Sequence, residues 1–170
     1  MAIKNKKAKQ KKARDKRKKV RNISLPILQF DDLKPVVCRP ATMDDLALVP
    51  AIMSTLLKAK DGVGIAAPQV GHNIRMFIIH VQTIYPLVCF NPSFTDLSKG
   101  MVSGIEGCLS YPGLQKNISR HQIVSMVYRD EAWQERRITL EGTAARVAQH
   151  EMDHLGGLCM VYNGKRKGGG

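Results

Sequence analysis

Residues 148–157 read Ala-Gln-His-Glu-Met-Asp-His-Leu-Gly-Gly. On a helix His150 and His154 stand one turn apart on the same face, so two imidazole nitrogens can reach a single metal ion. Glu151 follows the first histidine, where a carboxylate can accept a proton from metal-activated water without being a ligand itself. The pattern therefore points to metal-assisted hydrolysis. The plain alternative is a chance match on a solvated helix, made rare by a chain with five histidines in 170 residues. In metzincin-type proteases the motif continues x-x-Gly-x-x-His. Gly157 stands in its place, but Met160 occupies the third histidine's position, which excludes that subclass.

Outward from this stretch, Ala144, Val147, His150 and His154 trace one helical face beginning at Gly142. Upstream, 75–81, 86–90 and 122–128 are short apolar runs of the kind a sheet interior needs, and 135–140 can pair with its neighbour as a hairpin. Thr42, with an acid three positions on, reads as a helix start. Val49, Ile52, Met53, Leu56 and Leu57 then recur at helical spacing and read as core. Pro50 comes late for a first turn, so this helix either begins there or bends. Helix, strands, helix gives the α+β class: mostly antiparallel sheets packed around a central metal-binding helix in a single domain.

At 170 residues the chain suffices for one domain with a core. No apolar run approaches the roughly 20 residues that span a bilayer, and no signal-peptide pattern opens the chain. The reading is soluble, unexported and without a membrane. Cys38, Cys89, Cys108 and Cys159 show no Cys-x-x-Cys pairing, so neither a zinc knuckle nor a redox dithiol is indicated. Three of them read as small apolar residues, with Cys108 set apart.

The net charge of +13 is concentrated at the ends. Residues 1–22 carry 12 Lys and Arg against Asp15 alone, and Lys165, Arg166 and Lys167 close the chain, which leaves a near-neutral body. We read 1–22 as a disordered polybasic tail, 23–164 as the catalytic domain and 165–170 as a flexible basic and glycine-rich end. The tail is either a solubilising extension or a polyanion-binding one, with RNA the favoured polyanion. A transit peptide fits less well, because Lys outnumbers Arg and Ser is absent from the tail.

Two further motifs stand out. Gly62-Val63-Gly64-Ile65-Ala66-Ala67-Pro68-Gln69 scores poorly as a dinucleotide fingerprint, since it follows a helix and Pro68 stands where a phosphate-binding helix would open. Its glycines admit close backbone approach, and the Gln69 amide can donate to an oxyanion. Glu106-Gly107-Cys108-Leu109-Ser110 offers a third ligand: a thiolate with two imidazoles leaves one position open, as a catalytic site requires. A buried apolar thiol is the competing reading of Cys108. After Leu155 no His, Asp or Glu remains, which turns the choice toward the thiolate ligand.

Together, in this order, the three motifs resemble those of peptide deformylases: Gly-x-Gly-x-Ala-Ala-x-Gln, Glu-Gly-Cys-x-Ser and Gln-His-Glu-x-Asp-His. The similarity spans roughly residues 27–162. It implies that Cys108, His150 and His154 bind the metal and that Glu151 is the acid/base. It also implies that Gln69 and the Leu109 N–H hold the carbonyl oxygen, and that Gly64 lies along the peptide-binding edge. Glu106 orients its neighbours, and Val63 and Val147 are candidates for the methionine pocket. The implied substrate is an N-formyl-methionyl nascent peptide. The implied metal is Fe(II), with Zn, Ni or Co able to substitute.

Many bacterial members continue into a long C-terminal helix that docks at the ribosome. This chain closes at Gly168-Gly169-Gly170 and resembles compact forms such as those carried by phages. The expectation is a monomer in the cytoplasm, or in an organelle, with the basic tail as the ribosomal RNA contact. Two other readings compete: a zinc endopeptidase of another subclass, and a nucleic-acid or ribosome-binding module with a vestigial hydrolase site.

Overall fold

The computed structural model describes residues 23–29, 32, 37–82 and 86–158. The polybasic tail, the basic end and Cys159 lie outside the described residues.

Two antiparallel sheets and two α-helices make up the fold. The larger sheet has the order β1 (Gly64–Ala66), β2 (Met76–Ile79), β3 (Leu87–Leu97), β6 (Ile123–Arg129), β7 (Glu135–Glu141). The smaller is a hairpin of β4 (Met101–Cys108) and β5 (Tyr111–His121). The expected helices are α1 (Val49–Lys58) and α2 (Gly142–Leu155).

The period-two alternation of β2 splits the core into two layers. Phe77 and Ile79 face α2, packing with Ala144, Ala145, Ala148 and Leu155. Met76 and Ile78 face the other way, onto Ile52 and Leu56 of α1. Three alanines let α2 approach the sheet closely, and the fully buried Leu155 contributes about 1.5–3 kcal/mol of apolar burial.

The start near Thr42 is a 3₁₀ turn, Met43–Leu48, before it is an α-helix. Asp45 accepts from the Thr42 N–H at 2.7 Å, and α1 proper opens at Val49. Pro50 thus sits in the first turn, where its missing N–H has no helical partner to lose. Ile52 and Leu56 are core as expected, while Leu57 is exposed.

Strand β3 runs further than its apolar stretch. It passes irregular pairing around Asn91, whose φ of 50° is held by a side-chain pair with Ala41, at 2.7 Å from Ala41 N and 3.0 Å to Ala41 O. The β4–β5 hairpin was not expected. It shares no ladder with the larger sheet, and Arg146, Gln149 and His150 of α2 hydrogen-bond to it. Its register shifts between Gly107 and Cys108, so the ladder closes on the pair Cys108 and Tyr111 around the Leu109–Ser110 turn.

Candidate metal centre

Helix α2 runs between the sheet and the hairpin and brings the three expected ligands together. The donor atoms of Cys108, His150 and His154 all lie within 4.8 Å of one another. Cys108 Sγ is 3.4 Å from His154 Nε2, and the two imidazoles meet edge to face with centroids 5.0 Å apart.

Each ring has a defined task. His150 Nδ1 lies 3.0 Å from Glu106 Oε2; donation to that carboxylate fixes the tautomer and leaves Nε2 for a cation. Burial works against charge on His150, but the Glu106 bond and the nearby Glu151 carboxylate outweigh it, so the ring holds a proton more tightly than usual. A cation bound at Nε2 displaces that proton. Burial, aided by His150 and Arg120, drives His154 down to about 3, so it is neutral and its lone pair is available.

Glu106 is the hub beneath the ligands. Its buried carboxylate takes Arg120 Nε at 2.9 Å and Nη2 at 3.0 Å, and Arg146 Nη1 at 2.8 Å. Burial alone would raise this carboxyl; the His150 and Arg120 hydrogen bonds overcome it and hold it at about 2. Arg120 reaches on to Asp153 at 2.7 Å. A buried charge network of this kind is stable only when every member is paired.

Glu151 contrasts with Glu106. It is 3% exposed, and its Oε2 has no hydrogen-bond partner among the described residues. Burial pushes its carboxyl up to about 7, against the pull of His150 and with the charge of Glu106 adding to it. An acid with that affinity for a proton is matched to acid/base work near neutral pH.

The donor set fits a divalent cation. It offers one soft thiolate and two imidazoles, with a carboxylate oxygen beside them that is buried and unpartnered.

Gln69 is fixed from behind, its Oε1 accepting from Ala66 N at 2.8 Å. Its Nε2 is thereby turned toward the centre, 3.2 Å from Ser110 Oγ and 3.5 Å from Cys108 Sγ. A cleft of about 400 Å³ opens over these groups, and Val63, Gly64, Leu109 and Val147 all line it. Gly64 stands on edge strand β1, and a Cβ there would run into Glu151 Oε1 and come 2.6 Å from Val147 Cγ1. Val63 is half exposed at the rim and Val147 buried at the floor.

Sequence reasoning missed Arg120, Asp153, Arg146 and Gln149. Gln149 pairs with the His121 backbone at both N and O, at 3.0 and 2.9 Å. For the three on α2 the available signal was spacing, since 146, 149, 150 and 153 form one helical stripe, while Arg120 lies on β5. Among the described residues no helix is long and apolar enough to cross a membrane.

Comparison with known proteins gives the family. A family model described as Polypeptide deformylase matches residues 19–167. A peptide deformylase of Chlorobaculum tepidum is 38% identical over 149 residues, 81% of this chain and 78% of that protein. The crystal structure of a peptide deformylase from Synechococcus elongatus in complex with actinonin superposes with a TM-score of 0.76 at 34% identity, over 81% of this chain and 76% of that one. A Met-Ala-Ser-bound class I type b peptide deformylase from Acinetobacter baumannii gives 0.76 at 29% identity, over 82% and 98%.

Proposed function

The chain belongs to the polypeptide deformylase family, metal-dependent hydrolases that remove the N-formyl group from nascent peptides, and from that premise we propose how its own residues perform the reaction. The observation that carries the reading is the convergence of Cys108, His150 and His154 beside a buried, unpartnered Glu151 oxygen.

Cys108, His150 and His154 would hold one divalent cation, which would supply Lewis acidity to the water and the formyl carbonyl. We assign Fe(II) as the working ion, with Zn, Ni or Co substituting. Its thiolate partner suits a reducing compartment, and we place the enzyme in the cytoplasm as a monomer. The catalytic unit is residues 23–164.

Glu151 accepts a proton from the attacking water and returns it to the departing amine, two transfers that call for an acid poised near 7. Gln69 Nε2 and the Leu109 N–H donate to the oxygen on which charge develops. The Ala66 N–H fixes the amide oxygen and so keeps Nε2 facing the centre, where one of its hydrogens would pass from Cys108 Sγ to the substrate oxygen. The peptide lies along the Gly64 edge of β1, as an added strand would. Its methionine side chain enters the cleft between Val63 and Val147; that the Acinetobacter relative binds Met-Ala-Ser supports a methionyl peptide as the ligand. The products are formate and a free amino terminus.

The 12 cations of residues 1–22 support a role as an RNA contact at the ribosome. Unchanged ribosome affinity after deleting residues 2–21, at physiological salt, would refute that role. For the reaction itself, formate release from a formyl-Met peptide is measured beside proteolysis of a blocked peptide. Formate alone is expected; proteolysis without formate would return the endopeptidase reading. A vestigial site would show formate release, if any, indifferent to Glu151→Gln.

A further inference from the structure

Arg146 belongs to the helical stripe facing the hairpin, and the proposed chemistry does not use it. Its guanidinium spans both strands. Nη2 donates to Val102 O at 2.6 Å, and Nη1 to Ile118 O at 2.8 Å and Glu106 Oε1 at 2.8 Å, with Gly104 O at 3.4 Å. The side chain is 19% exposed and lines the cleft. A solvated surface cation gives up no such hydration; this one has exchanged it for backbone carbonyls and a buried carboxylate.

The partner residue is shaped for it. A Cβ on Gly104 would stand 2.9 Å from both Cζ and Nη2 of Arg146. The end of an arginine ordinarily moves aside at little cost, but here it can do so only by releasing those hydrogen bonds. Gly104 therefore serves as a seat for the planar group.

We propose that Arg146, seated on Gly104, is a positioning residue of the metal centre. It holds the Glu106 carboxylate against His150 Nδ1 and clamps the hairpin whose end carries Cys108, so thiolate and imidazole are presented in one geometry. The inference rests on the reading of Cys108, His150 and His154 as ligands. Its physical basis is that β4–β5 shares no ladder with the larger sheet, and that Arg146 ties both of its strands, and Glu106 beside Cys108, to the helix that carries both histidines. Arg146 and His150 are one turn apart and grip opposite oxygens of the same carboxylate. Glu106 keeps its two bonds from Arg120 when Arg146 is removed, so the fold survives and the restraint on the hairpin is what is lost.

The test uses the full-length chain loaded with Co(II), comparing wild type with Arg146→Ala, Arg146→Lys, Gly104→Ala and the Gly104→Ala/Arg146→Ala double variant. The readouts are Co(II) affinity by chelator competition, the cobalt–thiolate absorption spectrum, and kcat and KM on a formyl-Met peptide.

Arg146→Ala is expected to weaken Co(II) binding about 10–100-fold, to alter the spectrum, and to lower kcat at saturating Co(II) more than it raises KM. Lysine restores the thermal midpoint but not the affinity, because one ammonium cannot span both strands and the carboxylate. Gly104→Ala shifts affinity in the same direction alone and has no further effect once Arg146 is gone.

Co(II) affinity within about twofold of wild type with an unchanged spectrum, whatever the thermal midpoint, overturns the positioning role. Gly104→Ala equally harmful with and without Arg146 overturns the seat. A wild-type chain that fails to bind Co(II) overturns the ligand reading itself, which is a separate outcome.

Discussion

Gly64→Ala is the substitution whose consequence follows most directly from the geometry. The new methyl would overlap Glu151 Oε1, lie 3.0 Å from that residue's carboxyl carbon and 2.6 Å from Val147 Cγ1. Normal carbon–carbon contact is about 3.5–4.0 Å, so these groups must retreat by something on the order of 1 Å. Glu151 and Val147 are both buried on α2 and can retreat only toward the cleft. Overpacking of this kind costs about 1–3 kcal/mol of stability. A catalytic group misplaced by about 1 Å costs roughly a hundredfold in rate, or about 2.7 kcal/mol of activation free energy. The assay is formate release at several substrate concentrations, with metal content of each preparation measured in parallel. The loss is expected in kcat at full metal occupancy from the displaced Glu151, with a rise in KM from the displaced Val147, which borders the methionine pocket. A variant whose kcat stays within about threefold of wild type would refute the reasoning.

Glu151→Gln should retain metal and fold yet lose roughly 10²–10⁴-fold in kcat, with metal analysis and formate release read on one sample. Gln69→Ala should lose on the order of a hundredfold in rate from the missing donor. The same change strips the Ala66 N–H of its acceptor, a stability cost of about 1–3 kcal/mol visible in urea unfolding. The Arg39 guanidinium beside Asp45 holds its carboxyl below the ordinary range. A depressed folded value means stability present above about pH 4 and lost as pH falls through the folded pKa. Asp45→Asn should therefore flatten the acid limb of stability against pH, and an unchanged slope would count against the pair. Chelation should lower the thermal midpoint by roughly 5–10 °C if the cation was held at about a hundred times its dissociation constant, as differential scanning would show.

The helix carrying the histidines was legible because catalysis and packing share it. Two ligands one turn apart and alanines spaced to face a sheet both demand period 3.6. The strands of the large sheet were legible where both faces are buried, as in β2, and β3 was underestimated where its apolar run ends near Pro92 and Ser93. The β4–β5 hairpin left no such trace. One face is exposed, and the other mixes Tyr111, Leu114 and Ile118 with the charged Glu106 and Arg120, so hydrophobic alternation stays weak. Arg120, Arg146 and Asp153 were given no role from the sequence. Their meaning depends on Glu106, which is far along the chain from each of them. Thr42 and Asp45 marked a helix start correctly, but a 3₁₀ turn intervenes before the first α-helical residue.

The central claim is that one sulfur and two imidazole nitrogens share a single divalent ion. Metal-edge X-ray absorption on anaerobically purified full-length protein tests it most directly. The account predicts about one ion per chain with one sulfur at roughly 2.3 Å and two imidazole nitrogens at roughly 2.0–2.1 Å. An ion with no sulfur in its coordination sphere, or a spectrum lost on no substitution of Cys108, His150 or His154, would contradict it.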